Sequence, residues 1–314
     1  MKRILGIALV LLLALGMLPG AALAQEGKAL KVAYIPNSMS NESLAYGFKM
    51  LQQYAADYNI EVTAFDGQFN AQVEVATITN CIGQGYDALI LCPSDINAVI
   101  PAVMEAKEAG LIVALYAADL AEEYQSLRDI FCGVNDNSAG EEAGKAFVAR
   151  FPDGANVVEI GGQAGTDAQN RRHDGFGAAT AGSKINVLSY QACDAWATAS
   201  AMAIMEDMIV KFGDQIQGVF CHWDNGATGV IEALKNAKME GVYVVAVDGC
   251  RAGFDQVKAG TQSVCISQSF KNMSIRTLEC IRSAADGQSF EAVNFIPLDV
   301  VTAENIDTFD YPEW

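Results

Sequence analysis

Short apolar runs alternate with longer segments of helical periodicity along the chain from Leu30 onward. The segment 41–58 illustrates the helical pattern, because Leu44, Phe48 and Leu51 recur on one face. Compact runs of Val, Ile and Leu are typical of parallel strands that are buried on both faces. This alternation predicts an α/β fold with parallel sheets and helices on both sides.

The predicted elements follow one another with short connections. Strands are expected at 30–36, 60–65, 87–92, 111–116, 130–134, 156–160, 185–190, 218–221, 242–247 and 263–267. Helices are expected at 41–58, 71–84, 97–109, about 135–150, 168–181, 197–212, 225–237, 252–259 and 270–285. The two halves share this order of elements but no sequence repeat.

The stretch 155–176, ANVVEIGGQAGTDAQNRRHDGF, predicts a strand, a glycine-rich turn and a helix. We expect Gly161, Gly162 and Gly165 to form a sharp turn, and Thr166 or Asp167 to cap the helix. The order of the glycines is not that of a dinucleotide-binding fingerprint. In open α/β sheets the carboxyl ends of the strands are the edge at which ligands bind, so the polar groups after the turn are candidates.

Hydrogen-bonding and aromatic side chains follow many of the predicted strands. Such groups suit a polyol, whose hydroxyls need donors and acceptors and whose C–H face packs on aromatic rings. The candidates after the strands are Asn37, Ser38, Ser40, Asn41, Tyr116, Asn170, Arg172, Asp194, Trp196, Trp223, Asp224 and Asp248, and Gln268 lies at the expected second crossing of the chain between the two halves.

Several candidates have a purely structural alternative. Asn41 and Asp224 could each cap the helix that follows, Trp196 could be a core residue, and Arg172 could pair with a surface acid. Asp248 is the strongest candidate, because VVAVDG ends an apolar strand with a carboxylate that must face the open edge of the sheet.

The motifs LILCPSD, VNDN, AGTDAQNRRHDGF, GVFCHWDNGATGV and VVAVDG, together with the segment around Gln268, resemble the ribose-type periplasmic sugar-binding proteins. That family has a type I solute-binding fold, shared with the cores of LacI-type repressors. The resemblance implies two doubly wound parallel-sheet lobes joined by a three-segment hinge. By position, the N-terminal lobe would comprise 25–135 and 269–297, and the C-terminal lobe 136–268 and 298–314. It also implies ligand contacts at Asn170, Asp248 and Gln268, with Arg172 beside them.

The chain departs from that family at several positions of the expected cleft. Ser40 and Asn41 stand where the family usually places stacked aromatics, and Tyr116-Ala117 stands in place of an Asp-Arg pair. Trp223 precedes Asp224 where the family has Asn. We therefore expect a ligand other than ribose, with Trp196 and Trp223 replacing the aromatic walls.

The first 24 residues have the pattern of a cleavable signal peptide. Lys2 and Arg3 precede an apolar run, and Ala22-Leu23-Ala24 is a typical cleavage motif. The run is short for a membrane-spanning helix. Cleavage would leave 18 basic and 38 acidic residues, a net charge of −20. A surface this acidic disfavours nucleic acid and anionic membranes as partners.

Eight cysteines are spread through the expected mature chain. An even number in an exported protein permits disulfides. Most of them lie within apolar runs, and none has C-x-x-C spacing, so the preferred interpretation is buried small hydrophobes. Neither this spacing nor the two histidines favours a structural metal site.

Together these features predict a periplasmic or otherwise exported, monomeric binding protein of an ABC importer. It would bind a small neutral solute by hinge closure, without cofactor or metal, and deliver it to a membrane permease. The alternative is a sensory binding protein for a sugar, nucleoside or autoinducer that signals to a membrane receptor. An enzyme is disfavoured, because the chain has no G-x-S-x-G motif and no evident nucleophile beside His173 or His222.

Overall fold

Two six-stranded sheets organise the chain in the computed structural model, which describes residues 28–314. The predicted signal peptide lies outside the described residues. The strands are β1 (Leu30–Ile35), β2 (Ile60–Ala64), β3 (Ala88–Leu91), β4 (Ile112–Tyr116), β5 (Ile130–Gly133), β6 (Ala155–Gln163), β7 (Ile185–Cys193), β8 (Gly218–Cys221), β9 (Tyr243–Asp248), β10 (Val264–Gln268), β11 (Val293–Phe295) and β12 (Leu298–Thr302).

Helices cover both faces of each sheet, as the alternating pattern predicts. They are α1 (Glu42–Tyr54), α2 (Ala71–Gly83), α3 (Ile100–Glu108), α4 (Asp136–Arg150), α5 (Asp167–Thr180), α6 (Thr198–Phe212), α7 (Asp224–Asn236), α8 (Arg251–Lys258) and α9 (Phe270–Ala285). Among the described residues, no helix has the length and apolar character needed to cross a membrane.

The strand order is the same in the two sheets. The first, which defines the N-terminal lobe, runs β11-β5-β4-β3-β1-β2, and the second, which defines the C-terminal lobe, runs β12-β10-β9-β8-β6-β7. Neighbouring strands are parallel except for β10 and β12, which are antiparallel. Central strands are buried along their whole length, as β3 and β8 show, because helices cover both faces.

The chain passes between the two sheets three times. It leaves the first sheet between β5 and α4, returns between β10 and α9, and leaves again between β11 and β12. Helix α9 packs on β4 and β5, so it belongs to the N-terminal lobe although it follows most of the second sheet. The two sheets are therefore joined by three connecting segments.

Strand β6 is longer than predicted, and this corrects the expected role of two glycines. Gly161 and Gly162 lie within the strand, and only Gly165 of the three has a positive φ, at 87°. A Cβ at Gly162 would lie 2.1 Å from the ring of Trp196. Gly162 therefore leaves room for that ring rather than forming a turn.

All eight cysteines are buried and free, in agreement with the interpretation of these residues as small hydrophobes. Cys221 and Cys265 are examples from the centre of the second sheet. Burial raises the pKa of Cys81 to about 11 and that of Cys193 to about 12. These two thiols are therefore neutral at physiological pH.

Candidate ligand-binding site

A small cavity of about 50 Å³ lies between the lobes, at the carboxyl ends of both sheets. The C-terminal lobe contributes Arg172, Trp196, Trp223, Asp248 and Gln268 to its lining. A cavity needs roughly 10–15 Å³ of water-accessible volume to hold one water molecule. The volume therefore suits a single small ring or chain rather than an oligosaccharide.

Arg172 is held in place before any ligand arrives. It extends from α5 and is buried, with its Nε donating to Asp136 Oδ1 over 2.7 Å and its Nη1 donating to the backbone carbonyl of His222. Its partner is thus a buried carboxylate and not a surface acid. The guanidinium also lies 5.8 Å from the ring centroid of Trp196, within the range of a cation–π contact.

Asp248 and Gln268 form a second fixed pair. Gln268 Nε2 donates to Asp248 Oδ1 over 2.8 Å, and both side chains are buried. Burial raises the pKa of Asp248 to about 7, against the opposing effects of Arg172 and the Gln268 hydrogen bond. Asp248 has a φ of 139°, a strained value that non-glycine residues adopt mainly at functional sites.

Asp224 explains how this strained turn is maintained. Its Oδ2 accepts from the backbone N–H of Gly249 over 2.8 Å and from that of Cys250 over 3.3 Å, while Gln262 donates to its Oδ1 over 2.8 Å. The carboxylate is fully buried, and burial raises its pKa. Asp224 therefore supports the loop that carries Asp248 and is not a cavity-lining group.

The two tryptophans meet edge to face, with ring centroids 5.4 Å apart and an interplanar angle of 84°. Each ring packs on a glycine, since a Cβ at Gly162 or at Gly226 would lie within 2.4 Å of an indole carbon. Trp223 is buried, and its Nε1 has no hydrogen-bond partner among the described residues. The two rings therefore form an apolar wall of the cavity.

The N-terminal lobe contributes a wall with fewer polar atoms. Asn37, Asn41 and Ser43 follow β1, whereas Leu44, Ala117, Ala118 and Phe270 line the remainder. Asn41 also caps α1, because its Oδ1 accepts from the backbone N–H and the hydroxyl of Ser43 over 3.2 and 2.7 Å. Asn41 therefore caps α1, as the structural alternative predicts, and it also lines the cavity.

Six predicted residues lie outside this lining, namely Ser38, Ser40, Tyr116, Asn170, Asp194 and Asp224. Ser40 lies on an adjoining part of the cleft. Tyr116 is buried in the core of the N-terminal lobe, where its hydroxyl is 2.9 Å from that of Ser274, because it points into the sheet face rather than past its end. Asn170 is exposed on α5, two residues from Arg172, and does not line the cavity.

Some lining residues were not among the predicted ones. Phe270 lies two residues after Gln268, where the chain has just passed between the sheets for the second time. Its position near the cavity was therefore predictable from the sequence. Leu44 and Ala118 carry no polar atom that would have marked them. Sequence reasoning searched for hydrogen-bonding groups and therefore missed the apolar part of the cavity.

Direct contacts between the lobes close the cleft around the cavity. Asn225 Nδ2 on α7 donates to Glu42 Oε2 on α1 over 2.7 Å. Near the hinge, the backbone N–H of Asp119 donates to Asp167 Oδ2 over 3.2 Å. These bonds join one lobe to the other.

Residues 311–314 form a further link between the lobes. The backbone N–H of Arg251 in the C-terminal lobe donates to the carbonyl of Trp314 over 2.6 Å. The Trp314 ring stacks on Tyr46 of α1 at 5.6 Å and meets Phe270 edge to face at 5.5 Å. This segment therefore supports a cavity-lining ring from behind.

Both histidines of the chain contact one buried carboxylate. His173 Nδ1 and His222 Nε2 each lie 3.0 Å from an oxygen of Glu159. Burial lowers the pKa of His222, so its ring is neutral near pH 7. Its backbone carbonyl accepts from Arg172, and the cluster thereby anchors the strand end on which the site is built.

Comparison with known proteins gives a consistent picture. Residues 32–289 match the family model of the periplasmic binding protein domain. The ribose import binding protein of Salmonella typhimurium is 27% identical over 287 residues, covering 87% of this chain and 95% of that protein. The xylitol-binding protein of Mycolicibacterium smegmatis is 27% identical over 270 residues, covering 83% of this chain and 74% of that protein.

Solved structures share the fold. A galactofuranose binding protein superposes with a TM-score of 0.84 at 20% identity, covering 89% of this chain and 96% of that one. A solute binding protein from Bacillus halodurans with bound myo-inositol gives 0.83 at 22% identity, covering 91% and 98%. The predicted fold class and the predicted family resemblance are confirmed, and the relatives are binding proteins rather than enzymes.

Proposed function

Because the chain belongs to the periplasmic binding protein family, we propose that it is the exported substrate-binding protein of an ABC importer. Its ligand is a small neutral solute of the sugar or polyol class, held between the lobes. The observation that carries this proposal is the interlobe cavity with Arg172, Asp248 and Gln268 fixed on one side and aromatic rings around them. The names of the relatives, which refer to ribose import and xylitol binding, support the same ligand class.

The ligand-binding residues proposed here are Asn41, Arg172, Trp196, Trp223, Asp248 and Gln268, with Ser40 at the margin of the cleft. Asp248 accepts from ligand hydroxyls and Arg172 donates to them, while the rings pack on the C–H face. Tyr116 and Asn170 are left out, since neither lines the cavity.

The proposed mechanism is closure of the lobes about the three connecting segments. In this mechanism the predicted N-terminal lobe is 25–135 with 269–297, of which 25–27 lie outside the described residues, and the predicted C-terminal lobe is 136–268 with 298–314. A ligand that contacts both lobes binds the closed form better than the open one and shifts the equilibrium toward closure. The closed protein then presents both lobes to the permease, and no bond of the ligand is broken.

A thermal-shift and calorimetric screen tests this proposal. The protein without residues 1–24 is mixed with pentoses, hexoses, cyclic and linear polyols and nucleosides. A true ligand raises the melting temperature as its concentration exceeds its dissociation constant. Arg172→Gln should lose at least tenfold in affinity, because one charged donor to the ligand is removed. A Lys235→Gln variant is the control, since Lys235 is exposed on α7. Full retention of affinity in Arg172→Gln would contradict the proposed site.

Two further measurements address location and partner. Fractionation of cells that express the full chain should place a form shortened by about 24 residues outside the cytoplasm, where it should run as a monomer. The ligand-bound protein should stimulate ATP hydrolysis by its importer in proteoliposomes. Stimulation of a membrane-bound kinase in place of an importer would support the alternative role as a sensor.

A further inference from the structure

The two walls of the cavity differ in the hydrogen bonds they leave open. In the C-terminal lobe, Asp248 Oδ2 and Arg172 Nη2 have no protein partner among the described residues, while the other polar atoms of these groups are already bonded. A free acceptor beside a free donor, on side chains that are themselves held rigidly, is suited to neighbouring hydroxyls of a ligand. This wall therefore recognises a hydroxylated edge.

One part of the opposite wall offers nothing to a hydroxyl group, whereas Asn37, Asn41 and Ser43 line the rest of that wall. The apolar part is formed by Leu44 on α1, Ala117 and Ala118 after β4, and Phe270 at the start of α9, which carry no polar side-chain atom. The backbone N–H of Ala117 is not available either, because it donates to the carbonyl of Cys132 over 2.9 Å. A ligand hydroxyl that faced these side chains would give up its water partners without a replacement.

Two polar atoms of the lining side chains have no hydrogen-bond partner. Asn37 Oδ1 and Trp223 Nε1 are buried and have no partner within residues 28–314, and both side chains line the cavity. Both atoms are almost fully covered by neighbouring protein atoms. They therefore add no polar contact to the apolar part of the wall.

We propose that the cavity selects a deoxygenated member of the sugar or polyol class, with hydroxyls along one edge and an apolar methyl or methylene edge opposite. The hydroxylated edge contacts Asp248 and Arg172, and the apolar edge lies against Ala117, Ala118 and Phe270. This inference rests on the proposed function and adds to it the chemical pattern of the ligand. It follows from the asymmetry of the two walls and from the small volume of the cavity.

Calorimetry with matched ligand pairs tests the inference. Each pair differs in one hydroxyl group, as in D-fucose with D-galactose, L-rhamnose with L-mannose, and 5-deoxy-D-ribose with D-ribose. In at least one pair the deoxy member should bind about fivefold tighter or more, because its partner buries an unpaired hydroxyl. If sugars bind but the hydroxylated member is equal or tighter in every pair, the inference is wrong and the proposed function stands. If no sugar or polyol binds, both are wrong.

A substitution in the apolar wall provides the second test. Ala117 has a φ of 62°, a conformation that asparagine tolerates well, so Ala117→Asn adds a polar group without backbone strain. It should shift the preference between the two members toward the hydroxylated one by about tenfold. Lys238→Asn is the matched control, because Lys238 has a φ of 58° and is exposed outside the cleft. An equal effect of Ala117→Asn on both members would overturn the assignment of this wall to the apolar edge.

Discussion

Ionisation of Asp248 destabilises the folded protein, and Asp248→Asn should remove this destabilisation. Burial raises the pKa of Asp248 to about 7, compared with 3.8 for an ordinary aspartate. Between these two pH values the folded protein retains a proton that the unfolded chain releases. The contribution of Asp248 to stability therefore falls as the pH rises from about 4 to about 7, and it stays low above that range.

The magnitude follows from the difference between the two pKa values. They differ by roughly three, and each pH unit corresponds to about 1.4 kcal/mol, so the ionised carboxylate is disfavoured by about 4 kcal/mol. Asparagine has nearly the same shape as aspartate and can accept from Gln268, so the hydrogen bond is retained. After allowance for an imperfect fit of the amide group, we expect a gain of about 2 kcal/mol in the free energy of unfolding at pH 8 and none at pH 4.

Urea denaturation of the ligand-free protein at pH 4 and pH 8 measures this difference. Affinity should change in the opposite direction, with a loss of about 10- to 100-fold, because a charged acceptor for ligand hydroxyls is replaced by a neutral one. Asp224→Asn serves as a comparison. Its carboxylate accepts from two backbone N–H groups and from Gln262, so we expect a loss of about 2 kcal/mol. A stability gain in Asp248→Asn that is the same at both pH values would refute the reasoning about its charge.

Three other predictions concern the Trp196 wall, closure and the thiols. Gly162→Ala places a Cβ 2.1 Å from the Trp196 ring and should weaken ligand binding at least tenfold by calorimetry, whereas Gly177→Ala, with open space around it, should bind normally. Asn225→Ala removes an exposed interlobe hydrogen bond to Glu42 and should speed ligand dissociation up to about fivefold in stopped-flow measurements. If Glu42→Ala adds a further equal effect on top of Asn225→Ala, the two side chains do not act as a pair. A thiol reagent should modify none of the cysteines in the native protein and all eight after denaturation without reductant, and a lower number would indicate a disulfide.

The sequence was sufficient for the architecture because each strand and helix is specified locally. Apolar runs such as 218–221 and the periodic segment 270–285 match β8 and α9 residue for residue. The last strands, β11 and β12, were missed, since β11 has only three residues and β12, at the sheet edge, has only one buried residue. Short edge strands have little hydrophobic pattern of their own, and their strand conformation depends on packing against neighbouring strands.

The site was less predictable, because position after a strand does not determine where a side chain points. Arg172 and Asp248 line the cavity, as the strand-end argument expects, whereas Tyr116 ends β4 with its ring in the core. The role of Gly162 could not be predicted either. It leaves room for the Trp196 ring, and only the structure brings these two residues together. These features depend on contacts between segments that are distant in the sequence.

In the proposed closure of the lobes, all three tryptophans of the chain occupy positions that change. Trp196 and Trp223 form one wall of the cavity, and Trp314 lies between the lobes against Tyr46 and Phe270. Opening the cleft would alter the solvent exposure and the neighbours of every indole at once. With this closure, the intrinsic tryptophan fluorescence of the protein changes on ligand binding and follows binding in real time without a dye or a label.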